Sequence, residues 1–178
     1  AFMAAVAALN GPDWFMLGDR DIGTHCRRRD LLNAGATLSD ATRTLLDDAG
    51  VAVQIWPMSD TPVKTVIKSH SQDYDFQDYF VRLRAEPVAT GFRYGSAATA
   101  AASPPALAAL GRPDLDAILL TPSNPWLSID PILSLGDIRR AIQASPAPVV
   151  GISPIIGGKA IKGPTAKLMQ ELGLEVSA

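Results

Sequence analysis

The strongest constraint on the fold is the alternation of strand and helix patterns in the second half of the chain. DAILLTPS and APVVGISP are continuous apolar runs, and the amphipathic helical pattern of Asp137–Ser145 lies between them. Continuous apolar strands that alternate with helices are typical of a parallel sheet covered on both faces. The pattern predicts an α/β fold with a Rossmann-like, three-layer α/β/α arrangement and a mainly parallel sheet.

Three apolar segments are predicted to be buried strands of this sheet: Val51–Trp56, Ala117–Leu120 and Val149–Ile152. Thr65–Ser69 is a further predicted strand, whereas the periodicity of Phe76–Arg84 fits a strand or a helix. Helices are predicted over Thr24–Asn33, from the capping pattern at Thr37 to Gly50, and over Gly163–Gly173.

Composition limits the classes of protein that the chain can represent. Its 178 residues suit one domain, and we assign residues 1–178 to a single α/β domain. The 16 basic and 18 acidic residues give no cationic surface for nucleic acid, and no segment is typical of a membrane span. Cys26 is the only cysteine, which excludes an internal disulfide and a cysteine-rich zinc site. We expect a cytoplasmic protein with neither a nucleic-acid nor a membrane partner.

Ligand-binding residues are expected in the loops that follow the predicted strands, because open α/β sheets bind ligands at the carboxyl ends of their strands. Three loops qualify, and each has a proline beside small polar residues or glycines: Pro57–Asp60, Thr121–Pro125 and Ser153–Lys159. The sequence therefore predicts one cleft that contains Ser59, Asp60, Ser123, Asn124 and Gly157.

The third loop has the composition of a phosphate site. Gly157 and Gly158 allow close approach to the backbone, Lys159 and Lys162 add positive charge, and a predicted helix starts near Gly163. A flexible strand-to-helix connection with solvated lysines explains the same residues. The chain contains no Walker A, dinucleotide-binding or hydrolase-triad motif.

The segment Leu17–Asp21, with the sequence LGDRD, places the guanidinium of Arg20 between two carboxylates. Such a group can orient a polar heterocycle through charge-assisted hydrogen bonds. A helix cap with local ion pairs is the alternative interpretation. Asp19 and Asp60 also carry the carboxylate oxygens that Mg²⁺ prefers, although their spacing does not show whether they meet.

Five motifs together resemble those of the 2-phospho-L-lactate transferase family, which makes the deazaflavin coenzyme F-420. They occur in the family's order and cover almost the whole chain: WFMLGDRDIGTH (Trp14–His25), PMSD with TPVKT (Pro57–Thr65), FQDYFVRLRAEP (Phe76–Pro87), TPSNPWLSIDPIL (Thr121–Leu133) and SPIIGGKAIKGPTAKLM (Ser153–Met169).

The resemblance implies a magnesium-dependent transferase that acts on a guanosine diphosphate ester of lactate or enolpyruvate. The ribityl hydroxyl of the deazaflavin Fo attacks the phosphoryl group next to the organic acid, and GMP leaves. By the same resemblance, Arg20 with Asp19 contacts Fo, and the enzyme is a homodimer. By the resemblance, the nucleotide and phosphates are expected at the SNP and PIIGG segments: Ser123, Asn124, Gly157 and Gly158. The charge of Lys159 adds it to the expected phosphate-binding residues.

Members of this family begin with a strand and a glycine-rich loop and continue past the last residues of this chain. We therefore expect a central part of a longer transferase, with metal ligands elsewhere in the protein and an inactive fragment in isolation. The alternative is a gluconeogenesis-factor-like regulatory protein that binds nucleotide sugars, whose loop resembles Ser128–Leu133. Arg20 and Asp60 lie in GDRD and PMSD motifs that favour the transferase. Phospholactyl and phosphoenolpyruvyl groups are too similar for the sequence to distinguish.

Overall fold

Three helices precede a mixed series of strands and helices in a computed structural model that describes residues 2–178. The α-helices are Phe2–Ala8 (α1), Asp19–Asn33 (α2), Leu38–Asp48 (α3), Pro104–Leu110 (α4), Asp130–Leu133 (α5), Gly136–Ala144 (α6) and Thr165–Glu171 (α7). Two π-helical turns cover Asp78–Arg82 and Pro125–Ile129. The mixed α/β class is confirmed. The apolar segment Ala1–Leu9 before Asn10-Gly11-Pro12 also predicts a helix, which α1 confirms over Phe2–Ala8, while Ala1 lies outside the described residues.

The strands form three small sheets rather than one parallel sheet. They are Lys64–Ser69 (β1), Tyr74–Asp75 (β2), Ala89–Gly95 (β3), Ile118–Leu120 (β4), Val149–Gly151 (β5), Ile155–Ile156 (β6) and Lys159–Ala160 (β7). The first sheet has the order β2-β1-β3 and is antiparallel, β4 and β5 are parallel, and β6 and β7 form an antiparallel hairpin. A mainly parallel sheet is therefore not confirmed within residues 2–178.

The predicted strand Val51–Trp56 is wrong. The segment pairs with none of β1–β7, and the Val53 side chain is 70 % exposed. The amide of Val51 instead donates to the carbonyl of Leu46 and helps to close α3 (2.9 Å). Its apolar, β-branched composition predicted a strand, but a strand also requires a neighbouring ladder, which no described strand provides.

The parallel pair β4–β5 confirms two of the predicted strands and their neighbourhood, with Ile118 opposite Val149 and Leu120 opposite Gly151. The expected burial is wrong for β5, because every residue of that strand is exposed. Parallel alignment places the carboxyl ends of both strands at the same edge, which is where the loops after Leu120 and Gly151 begin.

Local sequence signals set the ends of the helices. Thr37 caps α3 by accepting a hydrogen bond from the amide of Asp40 (3.1 Å). Gly35, Gly50 and Gly173 follow α2, α3 and α7 with φ of +94°, +66° and +72°, and each completes the paired end hydrogen bonds of a Schellman motif. The predicted ends of these helices are therefore confirmed, although α2 starts at Asp19 rather than Thr24.

Two apolar clusters hold these elements together. The larger packs Ile67 of β1, Tyr79 of the first π-helical turn and Leu168 of α7 against Leu127. The smaller joins Ala102, Leu135 and Ile138. The larger cluster thus fixes α7 and the second π-helical turn, which flank the loop after β4.

Candidate functional site

Two cavities meet at the loop after β4. The strand-end cavity, of about 470 Å³, lies at the carboxyl ends of β4 and β5, where Thr121 and Ser153 line it. The aromatic cavity, of about 290 Å³, is lined by Phe76 and Phe80. Ser123 and Pro154 line both cavities. Small-molecule sites typically occupy roughly 300–1,000 Å³ and combine apolar walls with a few polar groups, and this pair of cavities has that character.

Asn124 fixes the shape of the shared loop. Its Oδ1 accepts hydrogen bonds from the amides of Trp126 (3.0 Å) and Leu127 (2.9 Å), which starts the π-helical turn Pro125–Ile129. Its Nδ2 donates to Oγ1 of Thr165 at the start of α7 (3.0 Å). The predicted nucleotide-binding residue Asn124 therefore joins two elements as well as lining the aromatic cavity.

The aromatic cavity is mostly apolar but contains one cationic side chain. The rings of Phe76 and Phe80 stack with centroids 5.4 Å apart and planes 11° apart. Leu127 and Ile161 add apolar wall, and Lys162 lines the same cavity. A planar group with a negative charge nearby suits these walls.

The glycine pair of the predicted phosphate loop forms a hairpin turn. Gly157 and Gly158 connect β6 to β7 with φ of +57° and +73°, as a two-residue turn of the primed type requires. A Cβ at either position would meet nothing within 4 Å, so the backbone angle and not space accounts for glycine here. Gly157, Gly158 and Lys159 line neither cavity, and Lys159 is exposed at the hairpin.

Asp19 and Arg20 lie on the exposed first turn of α2 and line neither cavity. The side chain of Asp21 accepts a hydrogen bond from the amide of Gly18 at the start of the helix (3.2 Å). Arg20 takes part in none of the ion pairs within residues 2–178, which leaves its guanidinium available to a ligand.

Ser59 and Asp60 have structural partners. Buried Ser59 donates through Oγ to the carbonyl of Ala101 (2.6 Å), and Oδ1 of Asp60 accepts from the amide of Ser39 in the first turn of α3 (2.7 Å). Both line a third cavity between α3 and the Pro57–Val63 segment. The structure does not bring them into either cavity at Ser123, so the single predicted cleft is divided.

The sequence model of the family described as "2-phospho-L-lactate transferase CofD" matches residues 3–177. The chain belongs to this family. A phosphoenolpyruvate transferase of Kitasatospora aureofaciens is 42 % identical over 172 residues, which cover 94 % of this chain and 53 % of that relative. The phosphoenolpyruvate transferase of Mycobacterium avium (strain 104) is 40 % identical, with 94 % of this chain and 51 % of the relative covered. The phosphoenolpyruvate transferase of Streptomyces coelicolor is also 40 % identical, and the match covers 94 % of this chain and 53 % of that relative. The chain thus spans about half the length of these CofD relatives.

The carboxylates of the described residues are dispersed over the CofD-type fold. Within residues 2–178, no group of three or more His, Cys, Asp or Glu side chains is placed to hold a metal ion. Asp60 caps α3 instead, as described above. In the same part of the chain, no helix is both long enough and apolar enough to cross a membrane.

Sequence reasoning missed two residues at the shared loop of the CofD chain. Thr165, only 2 % exposed, lines the strand-end cavity and holds Asn124. Tyr94 of β3 donates through its hydroxyl to the carbonyl of Trp126 (2.8 Å). Burial raises the pKa of the Tyr94 phenol, and the Asp130 carboxylate raises it further. The predicted helix start near Thr165 could have identified this residue as a candidate for the site. The contact of Tyr94 with Trp126 joins segments far apart in the chain, and no sequence pattern indicates it.

Proposed function

We propose that the protein containing this chain transfers a phosphoenolpyruvyl or phospholactyl group from a guanosine diphosphate ester to the deazaflavin Fo, in the biosynthesis of coenzyme F-420. The match to the CofD family over residues 3–177 carries this proposal. Phosphoenolpyruvyl is the first choice, because the relatives described above are named phosphoenolpyruvate transferases.

In the proposed reaction, the oxygen of the terminal ribityl hydroxyl forms a bond to the phosphorus that carries the organic acid. The bond from that phosphorus to the bridging oxygen of the diphosphate breaks, GMP leaves with the electron pair, and the hydroxyl proton is released. Phosphoryl transfer depends on positioning and charge neutralisation rather than on a covalent nucleophile of the enzyme. The absence of a hydrolase motif in the sequence is consistent with this chemistry.

We place the nucleotide at the shared loop, where Ser123 lines both cavities and Asn124 lines the aromatic cavity. The phosphates extend toward the β6–β7 hairpin with Gly157, Gly158 and Lys159. Fo contacts Arg20 and Asp19, since the Arg20 guanidinium has no ion-pair partner among the described residues. A planar, multidentate guanidinium suits the polar edge of a heterocycle.

Magnesium belongs to the proposal as an expected cofactor. The carboxylates of residues 2–178 do not fit a complete site for it, as their dispersed positions show. Its ligands would therefore be substrate phosphate oxygens and residues outside this range. We also propose that the protein is cytoplasmic and forms a homodimer. Light scattering of the full-length protein would test the dimer through its molar mass.

The test of the proposed function is a transfer assay with the full-length protein. Fo and the guanosine diphosphate ester of enolpyruvate or lactate are supplied with Mg²⁺, and products are followed by mass spectrometry. The proposal predicts GMP and the phospho-linked deazaflavin in equal amounts. Binding of nucleotide sugars without any transfer would instead support the regulatory alternative.

A further inference from the structure

The strand-end cavity combines many hydroxyl groups with no charged side chain. The five hydroxyl side chains that line it are Thr121, Ser123, Ser153, Thr165 and Ser177. The other lining residues are apolar residues, glycine or proline, and no Lys, Arg, His, Asp or Glu side chain is among them. Its chemistry therefore differs from that of the aromatic cavity, which contains Lys162.

The buried hydroxyl of Thr165 has an unused donor. A threonine hydroxyl has one hydrogen to donate and two lone pairs to accept with. Oγ1 accepts from Nδ2 of Asn124, while no acceptor for its own hydrogen is found within residues 2–178. Because Thr165 is 2 % exposed and lines the cavity, a ligand oxygen can satisfy this donor.

The serine at the end of β5 is arranged in a similar way. Oγ of Ser153 accepts from the amide of Ile155 (3.1 Å), which leaves its hydrogen free among the described residues. A phosphate favours cationic partners and charge-assisted hydrogen bonds, and the strand-end cavity has no side chain to provide them. Hydroxyls that both donate and accept match the hydroxyls of a sugar or polyol.

We propose that the strand-end cavity binds the adjacent hydroxyl groups of a ribose or ribityl chain and that Thr165 donates a hydrogen bond to one of them. This inference rests on the proposed function, in which the nucleotide carries a ribose and Fo carries a ribityl chain. Ser123 lies on the wall shared with the aromatic cavity, so a ring joined to the polyol can extend from one cavity into the other.

Calorimetric titration of the full-length protein with two matched pairs of probes distinguishes the two sources. One pair is GDP and 2′,3′-dideoxy-GDP, and the other is Fo and an analogue with a methyl group in place of the ribityl chain. In one pair, the hydroxylated probe is expected to bind about tenfold more tightly or better, as the loss of one or more hydrogen bonds implies. The pair that shows the difference identifies the occupant.

Thr165→Val keeps the shape of the side chain but removes the hydroxyl, which is both the free donor and the acceptor for Nδ2 of Asn124. For the hydroxylated probe of that pair, it is expected to weaken binding about threefold to tenfold, the range of one neutral hydrogen bond. The deoxygenated probe should lose less affinity than the hydroxylated one, because it does not use the Thr165 donor. Thr165→Ser keeps the hydroxyl and should retain the preference. Thr99→Val, at an exposed site outside both cavities, is the matched control.

If Thr165→Val fails to fold, Ser177→Ala tests the same cavity, because Ser177 is exposed and its hydroxyl has no partner in residues 2–178. Equal affinity within both pairs would overturn the inference and leave the transferase proposal intact. If Thr165→Val weakened the binding of both probes of a pair equally, Thr165 would have only a structural role, and the proposed hydrogen bond from Thr165 to the ligand would be wrong. Failure to bind either GDP or Fo would overturn both proposals.

Discussion

At the residue scale, Asn124 connects local structure to the proposed site. Its side chain satisfies two amides at the start of the π-helical turn and reaches Thr165 across the loop. Asn124→Ala is expected to lower the free energy of unfolding by about 1–2 kcal/mol, as for the loss of a helix cap. Asn124→Asp should cost less, because it keeps the accepting oxygen.

Urea denaturation of both Asn124 variants measures these changes. Asn33→Ala is the control, since Asn33 is exposed at the end of α2. A loss for Asn124→Ala no larger than the loss for Asn33→Ala would show that the three hydrogen bonds do not stabilise the loop.

Arg20 is the residue on which the proposed Fo contact depends. Arg20→Ala is expected to weaken Fo binding by about 1.5–3 kcal/mol, the range for a hydrogen bond to a charged group. Arg20→Lys should also be impaired, because an ammonium does not reproduce the planar fork. Fluorescence titration of the full-length protein with Fo measures both, with Arg43→Ala on α3 as the control. Unchanged Fo affinity in both Arg20 variants would reject the assignment.

Tyr79 gives the molecule a defined alkaline response. Its side chain is fully buried, and its hydroxyl has no hydrogen-bond partner among the described residues. Burial raises the pKa of Tyr79 from 10.0 to about 12, and the negative charge of Glu171 contributes in the same direction. Between about pH 10 and pH 12, the phenol of Tyr79 keeps its proton in the folded state and loses it in the unfolded state. The free energy of unfolding therefore falls as the pH rises through this range.

The expected loss attributable to Tyr79 is about 2 kcal/mol between pH 10 and pH 12, and two pKa units set its limit at about 2.7 kcal/mol over the full titration range. Tyr79→Phe should remove this part of the loss and keep or raise stability at pH 7, because a buried hydroxyl without a partner is costly. Denaturant titrations at several pH values measure the difference from wild type. Tyr74→Phe, which removes a phenol hydroxyl from the same cluster, is the matched control. An unchanged slope in Tyr79→Phe would contradict the prediction.

At the scale of elements, substitutions in the β6–β7 hairpin test why glycine occupies positions 157 and 158. Glycine can be required there by the backbone conformation of the turn or by contact with a ligand. Gly158 has φ of +73°, and a residue with a Cβ there pays about 1–2 kcal/mol, with asparagine the usual exception. Gly158→Val should therefore destabilise the protein, whereas Gly158→Asn should be nearly neutral. Thermal unfolding measures stability, and GDP titration shows whether the hairpin also binds phosphate. Equal stability of the two variants would contradict the turn assignment.

The elements also show what the sequence could predict. The sequence predicted the helix ends, because the hydrogen bonds at Thr37, Gly50 and Gly173 join residues only a few positions apart in the chain. β4 and β5 were readable as parallel partners because an amphipathic helix separates them. Val51–Trp56 was misread, since pairing depends on a neighbouring strand and not on the segment's own composition. The antiparallel order β2-β1-β3 likewise depends on contacts between segments.

At the scale of the whole molecule, the loops after β4 and β5 were correctly placed together, and the rest of the predicted cleft was not. Strand order alone predicts that Ser123 and Ser153 share an edge, as they do. Ser59 and Asp60 were assigned to the same cleft on the basis of a strand that is absent from residues 51–56. The sequence located Thr165 near the start of a predicted helix, but its contact with Asn124 depends on the packing of α7, which the local sequence does not determine.

The central claim is that a nucleotide binds where the two cavities meet. Hydrogen–deuterium exchange of the full-length protein with and without GDP tests it most directly. The account predicts slower exchange with GDP in residues 121–129 and 153–165, and unchanged exchange in β1. Protection confined to other segments, with residues 121–129 and 153–165 unaffected, would contradict the placement of the site.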